Sequence, residues 1–236
     1  MDFLVIQHLD IEPPALIGEL LSAAGHSLRT LHVDTGDSLP ADTSELRGVI
    51  IMGGPQSANA THLTYIRDEL QWLKKRVDEG LPMMGICLGA QLMAKAAGAV
   101  MIPSPVRELG WFPIYHTIGA EHDPLFRDIP NTLTVFQWHG ETFALTDRMT
   151  LLATHPDVPA QVFRLGQAQY GLQCHVEVNA SMIESWVAYG TSEREHLGIE
   201  GISLLHKNTS LYLEPMQHYG RQIVANWLQS IAEYGR

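Results

Sequence analysis

Cys87 stands in GICLG at 85–89, the form G-x-nucleophile-x-G with sulfur in the nucleophile's place, and it is one of only two cysteines in 236 residues. An apolar run precedes it and a helix-forming run follows. A sharp strand-to-helix turn crowds whatever lies beside it, so small residues must flank the central one, whose side chain is then presented above the sheet. The N–H groups and dipole at the start of the following helix lie near the sulfur and favour the thiolate. The Leu88 N–H faces an oxyanion formed on an attacked carbonyl, and the Gly53-Gly54 turn is a source of a second donor. The competing account is a small buried hydrophobe, the common state of a free cysteine; its place at a strand terminus favours the nucleophile.

A nucleophilic cysteine needs a base, and usually a group that orients the base. LQCHVEV at 172–178 offers both. His175 and Glu177 are two apart, so on a strand they point to one face, with Glu177 on one imidazole nitrogen and the other free to serve Cys87. A structural His–Glu pair is the plainer explanation of H-x-E, since the chain holds 12 histidines. A zinc site from Cys87, His139, His175 and Glu177 is a further alternative by ligand type, but the turn already accounts for the cysteine, and no metal or other cofactor is expected.

The elements that must position these groups follow from periodicity. FLVIQ at 3–7 reads as a buried strand, and SLRTLHVD at 27–34, RGVIIMGG at 47–54 and PMMGI at 82–86 as three further strands. Between them lie helical segments within 12–26 and 61–80, with a third at 90–99. This alternation predicts βαβ units and an α/β fold with a doubly wound, mostly parallel central sheet. Beyond Val100, close-spaced strand candidates at 111–118, 133–139, 149–155, 160–166 and 170–177 predict an antiparallel or mixed extension. Helices are expected at about 181–189 and 211–233. Nothing divides the chain, so a single domain over 1–236 is expected. Ligands of open α/β sheets sit beyond the carboxyl ends of the strands, which selects His8, Asp34, Gly53-Gly54-Pro55 and Cys87 as groups expected to converge.

The bulk properties narrow the partners. Apolar content of 45% with 17% charged residues is that of an ordinary globular protein. The 15 Lys+Arg against 26 Asp+Glu give −11, the wrong sign for a surface that neutralises phosphates, so neither nucleic acid nor anionic membrane is an expected partner. The segment 81–103 is long enough to span a bilayer, but its Pro and Gly residues suit strand-turn-helix better. Two cysteines, and Asp2 where a signal peptide carries Lys or Arg, suit a cytoplasmic protein.

GGPQSAN at 53–59, GICLGAQLMA at 85–94 and GLQCHVEVN at 171–179 together resemble the three signature blocks of the class I glutamine amidotransferases, the Cys-His-Glu triad type with a flavodoxin-like fold. RELGW at 107–111, DPLFRDIP at 123–130 and FQWHGETF at 136–143 are similar to the stand-alone branch that resembles the glutaminase domain of GMP synthase. The resemblance is close over about 48–186. It implies that Cys87 attacks the side-chain amide of glutamine to form a γ-glutamyl thioester, with His175 shuttling protons and Glu177 orienting it. It implies an oxyanion hole at Gly54 and Leu88. Substrate contacts are implied at Gly53, Pro55 and Gln91 and along the 138–141 backbone (Trp138, His139, Gly140, Glu141), with His139 shaping the loop. Two positions depart from the pattern: Cys174 where Phe is common, expected in the core, and Glu141 where Asp is frequent. Trp72, Trp186 and Trp227 are expected in the core and Trp111 and Trp138 at the pocket; His62, His122, His196, His206 and His218 are expected at the surface. The chain has no SGGxDS nucleotide-binding loop. The implied partners are therefore L-glutamine, with a separate ammonia-accepting synthetase subunit, or a γ-glutamyl amide cleaved as a hydrolase in its own right. A non-catalytic binding protein of the same fold is the third alternative.

Overall fold

The computed structural model describes residues 2–234. Its nine strands form one sheet, in the order β2-β1-β3-β4-β9-β8-β7-β5-β6. Strands β1 (Phe3–Gln7), β2 (Leu28–His32), β3 (Gly48–Ile51), β4 (Met83–Ile86) and β9 (Gln169–Leu172) are mutually parallel. Strands β8 (Val162–Leu165), β7 (Met149–Thr154), β5 (Met101–His116) and β6 (Thr132–Phe143) continue the sheet antiparallel.

Period-two alternation sends the side chains of each central strand into two different cores. Phe3 and Val5 join Ile50 and Met84 under α1 (Ala15–Ala23), α4 (Ala180–Tyr189) and α5 (Thr191–Tyr234). Leu4, Ile6, Val49 and Ile51 pack beneath α2 (Thr64–Glu79) and α3 (Leu88–Ala96). Both faces are thus covered, the doubly wound arrangement expected from the sequence. No helix among the described residues is long and apolar enough to cross a membrane.

Three elements differ from expectation. The strand expected from 111 begins at Met101, because the four residues Ser104 to Arg107 bulge out opposite Gly140 alone; Pro103 and Pro105 read as breakers, and proline is tolerated at such a bulge. The strand at the end of 170–177 is the fifth member of the parallel set, beside β4, and it stops at Leu172. Residues 173–178 then cross irregularly toward β6, with His175 N–H donating to Phe136 O at 2.8 Å. Helix α5 begins at Thr191, about twenty residues earlier than expected. Its first stretch is largely exposed, so it carries no apolar period, and Gly198 (φ 62, ψ −176) breaks it.

Candidate active site

The turn between β4 and α3 explains the two glycines around Cys87. A Cβ on Gly85 would lie 2.7 Å from the Gly89 backbone and from Met93 Sδ, and a Cβ on Gly89 would run into the Ile51 carbonyl oxygen. Glycine at both places lets α3 close down on β3 and β4. Cys87 takes up the resulting corner at φ 49, ψ −106, a region L-residues rarely adopt. Its N–H donates to Leu172 O at 2.8 Å, tying the corner to β9. Cys87 is the N-cap of α3, where helical N–H groups lack intrahelical acceptors, and its Sγ donates to Trp138 O at 3.9 Å. Leu88 is the first helical residue, and its side chain lies against Gly54, where a Cβ would come within 2.9 Å of Leu88 Cδ2.

His175 and Glu177 do not share a regular strand, yet they meet. His175 Nδ1 lies 2.7 Å from Glu177 Oε1, with both side chains almost wholly buried. Glu177 O accepts from Leu16 N at the start of α1, and Asn179 Oδ1 accepts from Met182 N to start α4. The crossing segment is thus pinned at both ends. The indole of Trp186 packs edge-on against the imidazole, with centroids 4.6 Å apart. Burial, the largest influence, acts to lower the His175 pKa. The Glu177 charge and hydrogen bonds to Cys87 and Glu177 override it and hold the pKa well above the ordinary histidine value. With Nδ1 on Glu177, Nε2 is left for the sulfur.

A second polar chain reaches Cys87 from behind. Gln173, fully buried, donates from Nε2 to Cys87 Sγ at 3.7 Å and accepts from Gln91 Nε2 at 3.1 Å. Gln91 also donates to Glu141 O at 3.0 Å, the same carbonyl that accepts from His139 Nδ1. His139 Nε2 lies 2.9 Å from the buried Glu108 carboxylate. His139 is thereby engaged in holding the 138–141 strand, and it does not face Cys87 jointly with His175 and Glu177 as the zinc alternative requires.

These groups surround a pocket of about 540 Å³. Gly54, Pro55, Cys87, Gln91, Trp138, His139, Gly140, Glu141 and His175 line it, whereas Gly53, Leu88 and Glu177 are not among its lining residues. Two groups expected at the strand ends do not reach it. His8 is buried, with Nδ1 at 3.2 Å from Gly53 O and Nε2 at 2.8 Å from Glu69 Oε2, so it braces the glycine turn. Asp34 lies in a separate depression with Asp37 and Asp68. It follows β2, three strands from β4, which at the usual spacing is about 14 Å away.

Trp111 is not a pocket residue. It packs against Phe136 and donates from Nε1 to Thr209 Oγ1 on α5. Trp186, expected only in the core, does line the pocket. Cys174 is fully buried; burial, and then the Glu177 charge, push its thiol pKa far up. His62, His122, His196, His206 and His218 are all exposed. Sequence reasoning missed Glu12, Gln173, Arg107 and the 189–193 rim. RELGW and GLQCHVEVN contained two of them, but no spacing signals Glu12 or the rim.

Residues 15–186 match the family described as glutamine amidotransferase class-I. The chain belongs to that family, and it has the family's α/β fold. A glutamine amidotransferase-like protein of Salmonella typhimurium, YfeJ, is 32% identical over 178 residues, 72% of this chain and 72% of its own length. The glutamine-hydrolysing GMP synthase of Porphyromonas gingivalis is 33% identical over 144 residues, 60% of this chain but 27% of that protein. A glutamine amidotransferase from Thermotoga maritima has a similar structure, with TM-score 0.86, 28% identity, and 96% of this chain and 97% of that one covered. A glutamine amidotransferase from Methylobacillus flagellatus gives TM-score 0.88 at 25% identity, covering 97% and 94%.

Proposed function

We propose that this amidotransferase hydrolyses the γ-carboxamide of glutamine or of a γ-glutamyl amide through a thioester on Cys87. The observation that carries this is the buried His175, held by Glu177 through Nδ1 and lining the same pocket as Cys87. Cys87 gives its proton to His175 and attacks the amide carbon. The oxyanion is met by the N–H groups of Gly54 and Leu88. Collapse breaks the C–N bond as His175 returns the proton to the leaving nitrogen, releasing ammonia or an amine. Water, deprotonated by His175, then cleaves the thioester and releases glutamate. Gln91 and the 138–141 backbone hold the α-amino and α-carboxylate groups. A second reading rests on the likeness to glutamine-hydrolysing GMP synthase, of which this chain matches 27%: a separate synthetase subunit consumes the ammonia.

The test is product release from L-glutamine and a panel of γ-glutamyl amides by purified protein, with Cys87→Ala as blank. Turnover on at least one of them, absent from the blank, is expected. Equal turnover by Cys87→Ala refutes the mechanism.

A further inference from the structure

Glu12 is among the pocket residues that have no part in this scheme. It precedes Pro13-Pro14 at the start of α1, and its carboxylate rests directly on Gly53. A Cβ on Gly53 would collide with Glu12 Oε2 and would stand 3.4 Å from His175 Cε1. Cε1 adjoins Nε2 in the imidazole ring, and Nε2 is the nitrogen that hands the proton to the departing amine. The Glu12 carboxylate and this edge of the imidazole thus come together over Gly53, and both residues line the pocket. The other flank of the pocket is built differently: Gln91, Gly140 and Glu141 lie on the β9 side of β4, while Gly53 lies on the β3 side. Arg107, also in the pocket, is on that far flank. It lies against Gly140 and bonds Ser192 Oγ from both terminal nitrogens, with Glu193 3.6 Å away. Among the described residues, the positive groups that act on Glu12 are His175 and His8.

We propose that Glu12 is a specificity-determining residue for the leaving group, so that the preferred substrates are γ-glutamyl amides that release ammonia or a cationic amine, and anionic leaving groups are rejected. This rests on the hydrolase reading above. Coulomb attraction across a few ångströms of partly desolvated pocket favours a cation beside the carboxylate and disfavours an anion. The charged and titratable groups facing Glu12 are His175 and Glu177 from the segment after β9, and His8 from the end of β1, itself paired with Glu69 on α2. Burial pushes the Glu12 pKa up to about 7, against the pull of His175 and His8 and with the help of Glu177. Its charge, and the discrimination it exerts, thus develop across neutral pH.

The experiment measures kcat/KM from pH 5.5 to 8.5 for two substrates, the γ-glutamyl monoamide of ethylenediamine (cationic leaving group) and γ-glutamylglycine (anionic leaving group), with L-glutamine as reference. In the wild type the cationic-to-anionic ratio is expected to rise about tenfold through pH ~7, as two opposed charge effects of this range add. In Glu12→Gln it is expected to stay flat. A flat ratio in the wild type, or the same rise in Glu12→Gln, overturns the proposal. The wild-type profile decides the matter by itself if Glu12→Gln does not fold. Failure of the hydrolase reading looks different: none of the three substrates is cleaved, or Cys87→Ala cleaves them as well as wild type.

Discussion

At φ 49 and ψ −106, Cys87 holds a conformation that costs on the order of 1–3 kcal/mol, and the surrounding contacts must outweigh it. Those contacts separate it from Cys174, which lies in the core and whose thiol is kept protonated by burial. Cys87→Ala is expected to lower kcat by about three orders of magnitude or more, with His175→Ala nearly equal, because members of one proton-transfer unit are not additive. Glu177→Gln keeps the geometry and is expected to retain more activity than either; steady-state kinetics with circular dichroism as a folding control checks all three. Gln173 acts through two hydrogen bonds, one to the sulfur and one to Gln91. Gln173→Leu should cost about tenfold in kcat/KM, the scale of one or two net hydrogen bonds. Since Gln91 is a proposed substrate contact, KM and kcat should both move. Unchanged kinetics in a folded Gln173→Leu would show that the contact to sulfur has no consequence.

Among the elements, the β4–α3 corner and the end of β1 carry the greatest structural burden. Gly89→Ala places a methyl against the Ile51 carbonyl, a backbone atom with little room to yield, and is expected to destabilise by about 1–3 kcal/mol or more. Urea unfolding would measure it. His8→Ala strips the partner from the buried Glu69, a loss of about 3–5 kcal/mol for an orphaned buried charge. Burial acts to lower the His8 pKa, but the Glu69 carboxylate outweighs it and the net shift is upward. A histidine raised in this way contributes stability that is complete below pH ~6.5 and fades as pH rises through its folded-state value. The difference between wild type and His8→Ala should shrink accordingly in a pH series; a constant difference would mean His8 acts by packing alone. The strands and helices up to residue 99 were legible because each has its own local period. The placement of β9 was not, since pairing with β4 joins segments about ninety residues apart. The bulge of β5 hid behind its prolines, and the start of α5 is too exposed to leave a pattern.

For the molecule as a whole, the proposed triad was legible because two short blocks, GICLGAQLMA and GLQCHVEVN, bear a recognisable arrangement of glycine, cysteine, histidine and glutamate. Glu12, Arg107 and Trp186 were not, because each is defined by what another element brings against it. Glu12 also sets a trade between stability and function. Its pKa, raised to about 7 chiefly by burial, means the folded protein loses stability as pH climbs from the ordinary glutamate value through 7. Glu12→Gln should therefore melt higher than wild type at pH 8 and similarly near pH 4, a comparison calorimetry can make; the reverse order at pH 8 would contradict the assignment. The measurement that bears most directly on the central claim is acid-quenched peptide mapping during turnover of L-glutamine or the best γ-glutamyl amide. A γ-glutamyl thioester on the peptide containing Cys87, and none on Cys174, is the predicted result. Sustained turnover with neither cysteine acylated, undiminished in Cys87→Ala, would contradict it.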